Sequence, residues 1–302
     1  MPHPKRGSST LISGFMNALK PSSRLEVPAS TPPYSRKFAS SATFLPTTSL
    51  VGKVAVVTGS SRSTGAAVAR CLGEHGASVV VNFVTDSQSA EEVVQAIRSN
   101  GKGGAIAVKA NTATVEGGQL LLDEAMRTFG RIDILVLNAG VMGSKTLAEM
   151  DEGFFDVCFE TNVKVPLFMA KAAARLLPAP GGRIIFFSSS LTSASTVLPN
   201  ALCYLATKGA IEQVSRVLAK DLGSKGITVN TVSPGPIDTP LFREGKSQHV
   251  IDSIAKQNPM KRLAEPDDVA PIVAFLASEA GHWVNGTEYQ SRWGEWFRLT
   301  SY

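Results

Sequence analysis

A tyrosine and a lysine lie four residues apart, at Tyr204 and Lys208, in a stretch whose pattern predicts a helix over 203–223. This spacing puts both side chains on one face of a helix. An ammonium group beside a phenol stabilises the phenolate and lowers the phenol pKa from a reference value of about 10. Such a tyrosine can exchange a proton with a substrate oxygen near neutral pH. The pair indicates acid–base chemistry, although the same spacing also arises by chance.

Hydroxyl groups are available at the end of a nearby predicted strand. The segment 183–188 is rich in Ile and Phe and leads into the serines Ser188, Ser189 and Ser190. Ligands of parallel α/β sheets bind at the carboxyl ends of the strands. One of these serines is therefore a candidate to orient a substrate oxygen.

A glycine-rich turn follows the first predicted strand, 53–58, and precedes a predicted helix; it reads Gly59-Ser60-Ser61-Arg62-Ser63-Thr64-Gly65. Such a turn lets the backbone approach a pyrophosphate, and the helix N-terminus supplies N–H donors. The second strand ends in Asn82 and Phe83, without the acid that would bind the ribose 2′-hydroxyl of NAD. Arg62 could pair with a 2′-phosphate, or it could be a solvated loop residue. We therefore expect NADP(H) as the cofactor.

Strand-like and helix-like segments alternate through the body of the chain. Strands are predicted at 53–58, 77–83, 105–110, 132–138, 183–188 and 227–232, and helices near 64–75, 88–99, 117–129, 153–177, 203–223 and 266–278. Alternation of this kind predicts parallel strands joined by right-handed crossovers, with helices on both faces. The predicted fold class is a single-domain α/β doubly wound parallel sheet of the Rossmann type, spanning residues 50–290.

The two ends of the chain differ from this body. Residues 1–50 hold six basic residues and one acid, so the other 252 residues balance at 24 of each sign. We interpret 1–49 as a flexible extension rich in Ser, Pro and Arg. It is either a disordered leader or a mitochondrial transit peptide. Because the body carries no net charge, we expect no nucleic-acid partner, and no apolar run is long enough for a membrane span. Three cysteines without a CxxC pair suit an intracellular location, cytoplasmic with mitochondrial as the alternative.

From residue 51 to about 287 the chain resembles a short-chain dehydrogenase/reductase of the short, single-domain type. The motifs that carry the resemblance, in order, are the glycine-rich turn, Asn138-Ala139-Gly140, Thr161-Asn162-Val163, the serine-rich strand end, Tyr204 to Ala210, and Ser233 to Thr239. The Tyr-to-Lys interval of four resembles carbonyl reductases, since enoyl reductases use a longer spacing. Within the family the chain is similar to ketoacyl- and polyhydroxynaphthalene-type reductases.

The resemblance implies a role for each matching residue. It makes Tyr204 the acid/base and Lys208 its pKa partner and a ribose ligand, with Asn162 holding a water between Lys208 and bulk solvent. The expected catalytic set is Ser189, Tyr204, Lys208 and Asn162. The expected cofactor-binding set is Gly59, Arg62, Ser63, Thr64, Gly65, Asn111, Asn138, Gly140, Lys164, Tyr204, Lys208, Ile237 and Thr239. No metal is expected.

The choice of serine depends on the strand register. Six residues beyond Arg183, as the family's strand usually runs, lies Ser189. Counting back from Tyr204 by the usual interval of about 13 gives Leu191, which cannot act, so the loop is longer by two. We therefore predict Ser189, with Ser190 second, because a one-residue slip turns a side chain to the other face of the strand.

Two departures from the family pattern stand out. Ser63 replaces the second glycine of the turn, where its side chain would either crowd the phosphates or add a hydrogen bond. After Gly286 the run is polar where the family has an apolar last strand, so that strand is expected to be poorly formed, and 291–302 is interpreted as an atypical C-terminal tail.

The resemblance and the intact residue set predict an NADPH-dependent reductase that interconverts a ketone and a secondary alcohol, acting on a small molecule of secondary metabolism such as a polyketide, terpenoid or aromatic ketone. Alternatives are alcohol oxidation at the same site, or an NADPH-binding regulatory protein without turnover. The family also implies a homo-oligomer, a tetramer or dimer.

Overall fold

A computed structural model of the chain describes residues 47–100, 102–194 and 197–290. Within this part of the chain, seven strands form one sheet: β1 (Val54–Val57), β2 (Ser78–Phe83), β3 (Ala105–Lys109), β4 (Ile134–Leu137), β5 (Arg183–Phe187), β6 (Thr228–Ser233) and β7 (Glu288–Gln290). Their order is β3-β2-β1-β4-β5-β6-β7, and every neighbouring pair is parallel. The predicted doubly wound fold is confirmed.

Helices connect the strands on both faces of the sheet. They are α1 (Ser63–Glu74), α2 (Ser87–Ser99), α3 (Val115–Phe129), α4 (Glu152–Phe159), α5 (Val165–Ala173), α6 (Leu202–Gly223), α7 (Pro240–Arg243), α8 (Gln248–Gln257) and α9 (Pro266–Ala277). Side chains from α1, α2 and α9 form one buried cluster with the sheet, and those from α3, α5 and α6 form another. Strands β1 and β4 are buried along their whole length, as runs of Val, Ile and Leu covered on both faces require.

One predicted helix is interrupted. In place of a continuous helix over 153–177, α4 and α5 are joined by a π-helical turn, Glu160–Lys164, and α5 ends at Ala173. An inserted residue of this kind leaves no gap in an apolar pattern, so the sequence did not indicate it. The turn carries Asn162 and buries it.

The last strand does form, although it has only three residues. Residue pairing runs from Thr231 with Glu288 to Ser233 with Gln290. At the other end, the Thr47 carbonyl accepts a hydrogen bond from the Ala280 N–H, so the contacts of the folded domain begin before residue 50. Residues 1–46 and 291–302 lie outside the described residues, and the interpretations of both ends stay predictions. Within the described part of the chain, no helix is long and apolar enough to cross a membrane.

The sheet order reverses direction between β1 and β4. At such a point the connections leave toward opposite sides and open a crevice at the carboxyl ends of the strands. The glycine-rich turn follows β1, Asn138 follows β4 and Ser188 follows β5. The fold thus brings the three main motifs to one edge of the sheet.

Candidate active site

Ser189 and Tyr204 meet at the end of β5. The Ser189 hydroxyl forms a hydrogen bond with the Tyr204 phenol, and its oxygen accepts from the Leu191 N–H at 3.3 Å. Ser190 begins a short 3₁₀ turn, and its N–H bonds instead to the Pro234 carbonyl. Ser189, the residue preferred from the sequence, is therefore the serine that the structure places against the tyrosine.

Burial raises the pKa of Tyr204 from its ordinary value, and the Ser189 hydrogen bond opposes that rise only in part. This direction differs from the sequence-based expectation of a lowered pKa. The phenol is consequently in its protonated form at neutral pH, ready to donate a proton.

Lys208 is buried, with 5% of its surface exposed. Its Nζ donates to the Phe187 carbonyl at 2.9 Å and lies 5.6 Å from the centre of the Tyr204 ring. Burial lowers the pKa of Lys208 to about 8, and the negative charge of Glu212 opposes that shift. The carbonyl bond thus holds the ammonium beside the tyrosine, in agreement with the predicted neighbourhood of the pair.

Asn162 reaches the same place from the π-helical turn. Its Nδ2 donates to the Val141 carbonyl at 2.8 Å and to Thr207 Oγ1 at 3.0 Å, and its Oδ1 accepts from the Val141 N–H at 2.9 Å. A Cβ on Gly140 would lie 3.1 Å from Asn162 Oδ1 and 3.5 Å from Lys208 Nζ. Gly140 therefore permits the close approach of these groups, while the side chain of Asn162 fixes the loop after β4.

The glycine-rich turn is closed by contacts that only glycine allows. Gly59 has a φ of 60°, and a Cβ on Gly65 would lie 2.2 Å from the Gly59 carbonyl oxygen. Asn138 Nδ2 donates to the carbonyls of Thr58 and Gly59, so Asn138 holds the turn in place. No side chain caps α1, so the first-turn N–H groups stay open to an anion. The turn therefore fits the pyrophosphate of a dinucleotide.

Ser63 occupies a strained position in this turn. Its φ is 53°, in the left-handed region where the family has glycine. The replacement of glycine by Ser63 therefore strains the backbone. Both expectations from the sequence concerned only the side chain, which would crowd the phosphates or add a hydrogen bond.

The end of β2 determines the surroundings of Arg62. Asn82 is buried and accepts from the Gly59 N–H at 2.8 Å, which ties β2 to the turn. Arg62 is exposed. Hydrogen bonds from Ser89 lower the pKa of Asp86, the residue that caps α2, and the positive charge of Arg62 makes a smaller contribution in the same direction. Asp86 was not considered from the sequence because it lies beyond the usual position of an acid after β2.

The remaining predicted residues lie around this edge of the sheet. Thr64 is half-buried in the first turn of α1, and exposed Asn111 closes a turn by accepting from the Ala113 N–H. Thr239 caps α7, and Ile237 pairs with Ala264. Lys164 instead binds the Glu160 carboxylate on the exposed side of its helix, which gives no support to a cofactor contact. The cofactor roles of all five residues stay predictions.

Two contributors were missed from the sequence. Asn82 and Thr207 are buried polar residues that fix the turn and Asn162, respectively. A polar residue inside a Val-rich strand was the available signal for Asn82.

Among residues 47–100, 102–194 and 197–290, no group of three or more His, Cys, Asp and Glu side chains is arranged to hold a metal ion.

The profile of a protein family described as enoyl-(acyl carrier protein) reductase matches residues 59–294. A versicolorin reductase from Emericella nidulans is 40% identical over 248 residues, which cover 78% of this chain and 93% of that protein. Two solved structures have the same fold. A short chain dehydrogenase from Burkholderia cenocepacia in complex with NADP has a TM-score of 0.76 at 34% identity, covering 82% of this chain and 98% of that one. The angucycline C-6 ketoreductase LanV with bound NADP has a TM-score of 0.74 at 36% identity, covering 80% and 94%. With its parallel sheet and its Ser, Tyr, Lys and Asn constellation, the chain belongs to the short-chain dehydrogenase/reductase family of oxidoreductases.

Proposed function

We propose that this enzyme uses NADPH to reduce a ketone to a secondary alcohol. The observation that carries the proposal is the hydrogen bond between Ser189 and the Tyr204 phenol, beside the buried ammonium of Lys208. A substrate oxygen within reach of both hydroxyls would be oriented by Ser189 and protonated by Tyr204. When bound, NADPH supplies the hydride.

Each protein group has a separate task in this mechanism. Tyr204 Oη gives its proton to the substrate oxygen as negative charge develops there. The Lys208 ammonium stabilises the resulting phenolate, since an opposite charge nearby favours the ionised form. Asn162 holds the loop of Gly140 and Val141 against this pair. Burial raises the pKa of Tyr204, so the phenol carries the proton that ketone reduction requires, whereas alcohol oxidation at the same site requires the phenolate.

The cofactor assignment is supported by the open first turn of α1 and by exposed Arg62. The Burkholderia protein and the angucycline ketoreductase were both solved with NADP. In a fluorescence titration we expect tighter binding of NADPH than of NADH. Equal or tighter binding of NADH would overturn the assignment.

For the substrate we propose a bulky, apolar ketone of secondary metabolism, such as a polyketide, a terpenoid or an aromatic ketone. Apolar side chains border the catalytic edge, with Leu198 66% and Leu241 44% exposed, and the relatives described above are named versicolorin reductase and angucycline C-6 ketoreductase. NADPH oxidation measured against cyclic, aromatic and acyl ketones tests this proposal. Consumption only with small polar ketones would contradict the substrate class, and binding without consumption across the panel would favour a regulatory protein.

A homo-oligomer, dimer or tetramer, is also proposed. Large apolar side chains are exposed on three helices, with Phe155 and Val157 on α4, Phe168 on α5, and Leu202 and Val217 on α6. Such exposure on a small domain is typical of an interface. Light scattering after size exclusion should give a multiple of the chain's mass, and a monomer at micromolar concentration would contradict it.

A further inference from the structure

Two glutamates from distant parts of the sequence meet behind the catalytic helix. Glu212, on α6, and Glu288, on β7, bring their carboxyl groups together. Burial raises the pKa of Glu212, and the neighbouring carboxyl group of Glu288 adds to that rise. The two acids therefore form one cluster, whose geometry is fixed by the groups that bind them.

Hydroxyl and amide groups hold this pair in place. Glu212 Oε1 accepts from Ser188 Oγ at 2.6 Å, and the neighbouring Thr192 hydroxyl donates to the Ser189 carbonyl at 2.9 Å. Glu288 Oε1 accepts from Ser233 Oγ at 2.9 Å and from the Gln290 amide. Side chains from β6, β7 and the segment after β5 thus converge on two carboxyl groups.

The pair is connected to the catalytic residues by two routes. Ser188, which binds Glu212, is the residue directly before Ser189. Glu212 also lies one helical turn beyond Lys208, on the same face of α6, and its negative charge raises the pKa of that lysine against the effect of burial. Lys208 and, beyond it, Tyr204 are the titratable groups facing the pair from α6. The strands and the turn face it with Ser188, Ser233, Thr192 and Gln290, which carry no charge.

We propose that Glu212, supported by Glu288, is a positioning residue: it anchors the strand end that carries Ser189 and keeps a negative charge against the buried ammonium of Lys208. The proposal rests on the proposed function for its consequence in turnover. The effect of the Glu212 charge on Lys208 involves only protein groups, so it does not depend on which reaction the enzyme catalyses. Glu288 lies in the run that departs from the family pattern, so the support by Glu288 belongs to this chain rather than to the family resemblance.

The test compares Glu212→Gln with Glu288→Gln in the full-length protein. Glutamine at 212 removes the charge beside Lys208, whereas glutamine at 288 can donate its amide to an ionised Glu212 and leaves that charge in place. Glu124→Gln, which removes an acid on the outer surface of α3, is the matched control. The lysine pKa is measured by NMR titration of ¹³C-labelled lysine without cofactor, with the Lys208 signal assigned by its loss in Lys208→Met.

We expect Glu212→Gln to lower the pKa of Lys208 by about one unit, the usual effect of losing one nearby opposite charge. Glu288→Gln and Glu124→Gln should not lower it. The alkaline limb of the pH profile for ketone reduction should move to lower pH by a similar amount in Glu212→Gln alone.

An unchanged Lys208 pKa in folded Glu212→Gln would overturn the proposal, as would a decrease of about one unit in the Lys208 pKa of Glu288→Gln. The second result decides the matter even if Glu212→Gln does not fold. Because the NMR titration needs neither ketone nor cofactor, an enzyme that reduces no ketone would contradict the proposed function while leaving this inference standing.

Discussion

Replacing Lys208 by methionine should stabilise the fold while abolishing catalysis. The ammonium is buried, and its pKa falls from 10.5 to about 8. Each pKa unit corresponds to about 1.4 kcal/mol, so holding the charged form inside the protein costs about 3 kcal/mol. Methionine is an unbranched apolar side chain that can fill similar space without this cost.

Part of that gain is offset, because the Phe187 carbonyl loses its hydrogen bond from Lys208. An unsatisfied buried carbonyl costs about 1–2 kcal/mol, which leaves a net gain of about 1–2 kcal/mol near pH 7. For a domain of this size, Tm should rise by about 2–8 °C.

The pH dependence provides the sharper check. Below about pH 8 the folded and unfolded states both carry the charged lysine, and its cost is fully present. Between about 8 and 10.5 the unfolded state binds more protons than the folded state, so the wild type gains stability with rising pH. The advantage of Lys208→Met should therefore shrink across this window and become a deficit of about 1–2 kcal/mol at its upper end, where only the lost hydrogen bond to the Phe187 carbonyl remains.

Urea unfolding without cofactor, at several pH values, measures this difference, and Lys220→Met on the exposed side of α6 is the control. The reasoning is refuted if Lys208→Met is less stable than the wild type at pH 7 by an amount that does not change with pH.

Three further outcomes follow from the geometry. Ser189→Ala should lower turnover about 10²-fold with unchanged NADPH affinity, whereas Ser190→Ala should stay near the wild type; the reverse would place the strand register one residue off. Ser63→Gly should raise the free energy of unfolding by about 0.5–1 kcal/mol in urea, because it relieves a positive φ, and a loss of stability would argue against strain. Deletion of residues 1–46 should leave Tm and turnover nearly unchanged, and a large fall in either would show that this segment supports the domain; a fluorescent fusion of residues 1–50 that stays diffuse would reject the transit peptide.

The fold could be predicted from the sequence because each strand is a short Val- or Ile-rich run bounded by turn residues. The six predicted strands agree with the structure to within two residues at each end. The π-helical turn at Glu160–Lys164 could not be predicted from the sequence, because one extra residue in a helical turn does not disturb an apolar pattern.

The site could be predicted where it depends on local spacing or on motifs that match the family. Tyr204 and Lys208 share a helix, and the place of Ser189 followed from the strand register. The pKa of Tyr204 could not be predicted, since its direction depends on burial by distant elements. The meeting of Glu212 with Glu288 was equally hidden, because it depends on how β7 pairs with β6.

The central claim is that Tyr204 protonates the substrate oxygen, and Tyr204→Phe tests it most directly. Phenylalanine keeps the ring and removes the hydroxyl that bonds to Ser189. NADPH oxidation with an accepted ketone should fall about 10²–10⁴-fold, while the melting curve and the NADPH titration stay close to those of the wild type. Ketone reduction by Tyr204→Phe at the wild-type rate would contradict the mechanism, whatever the similarity of the chain to its family.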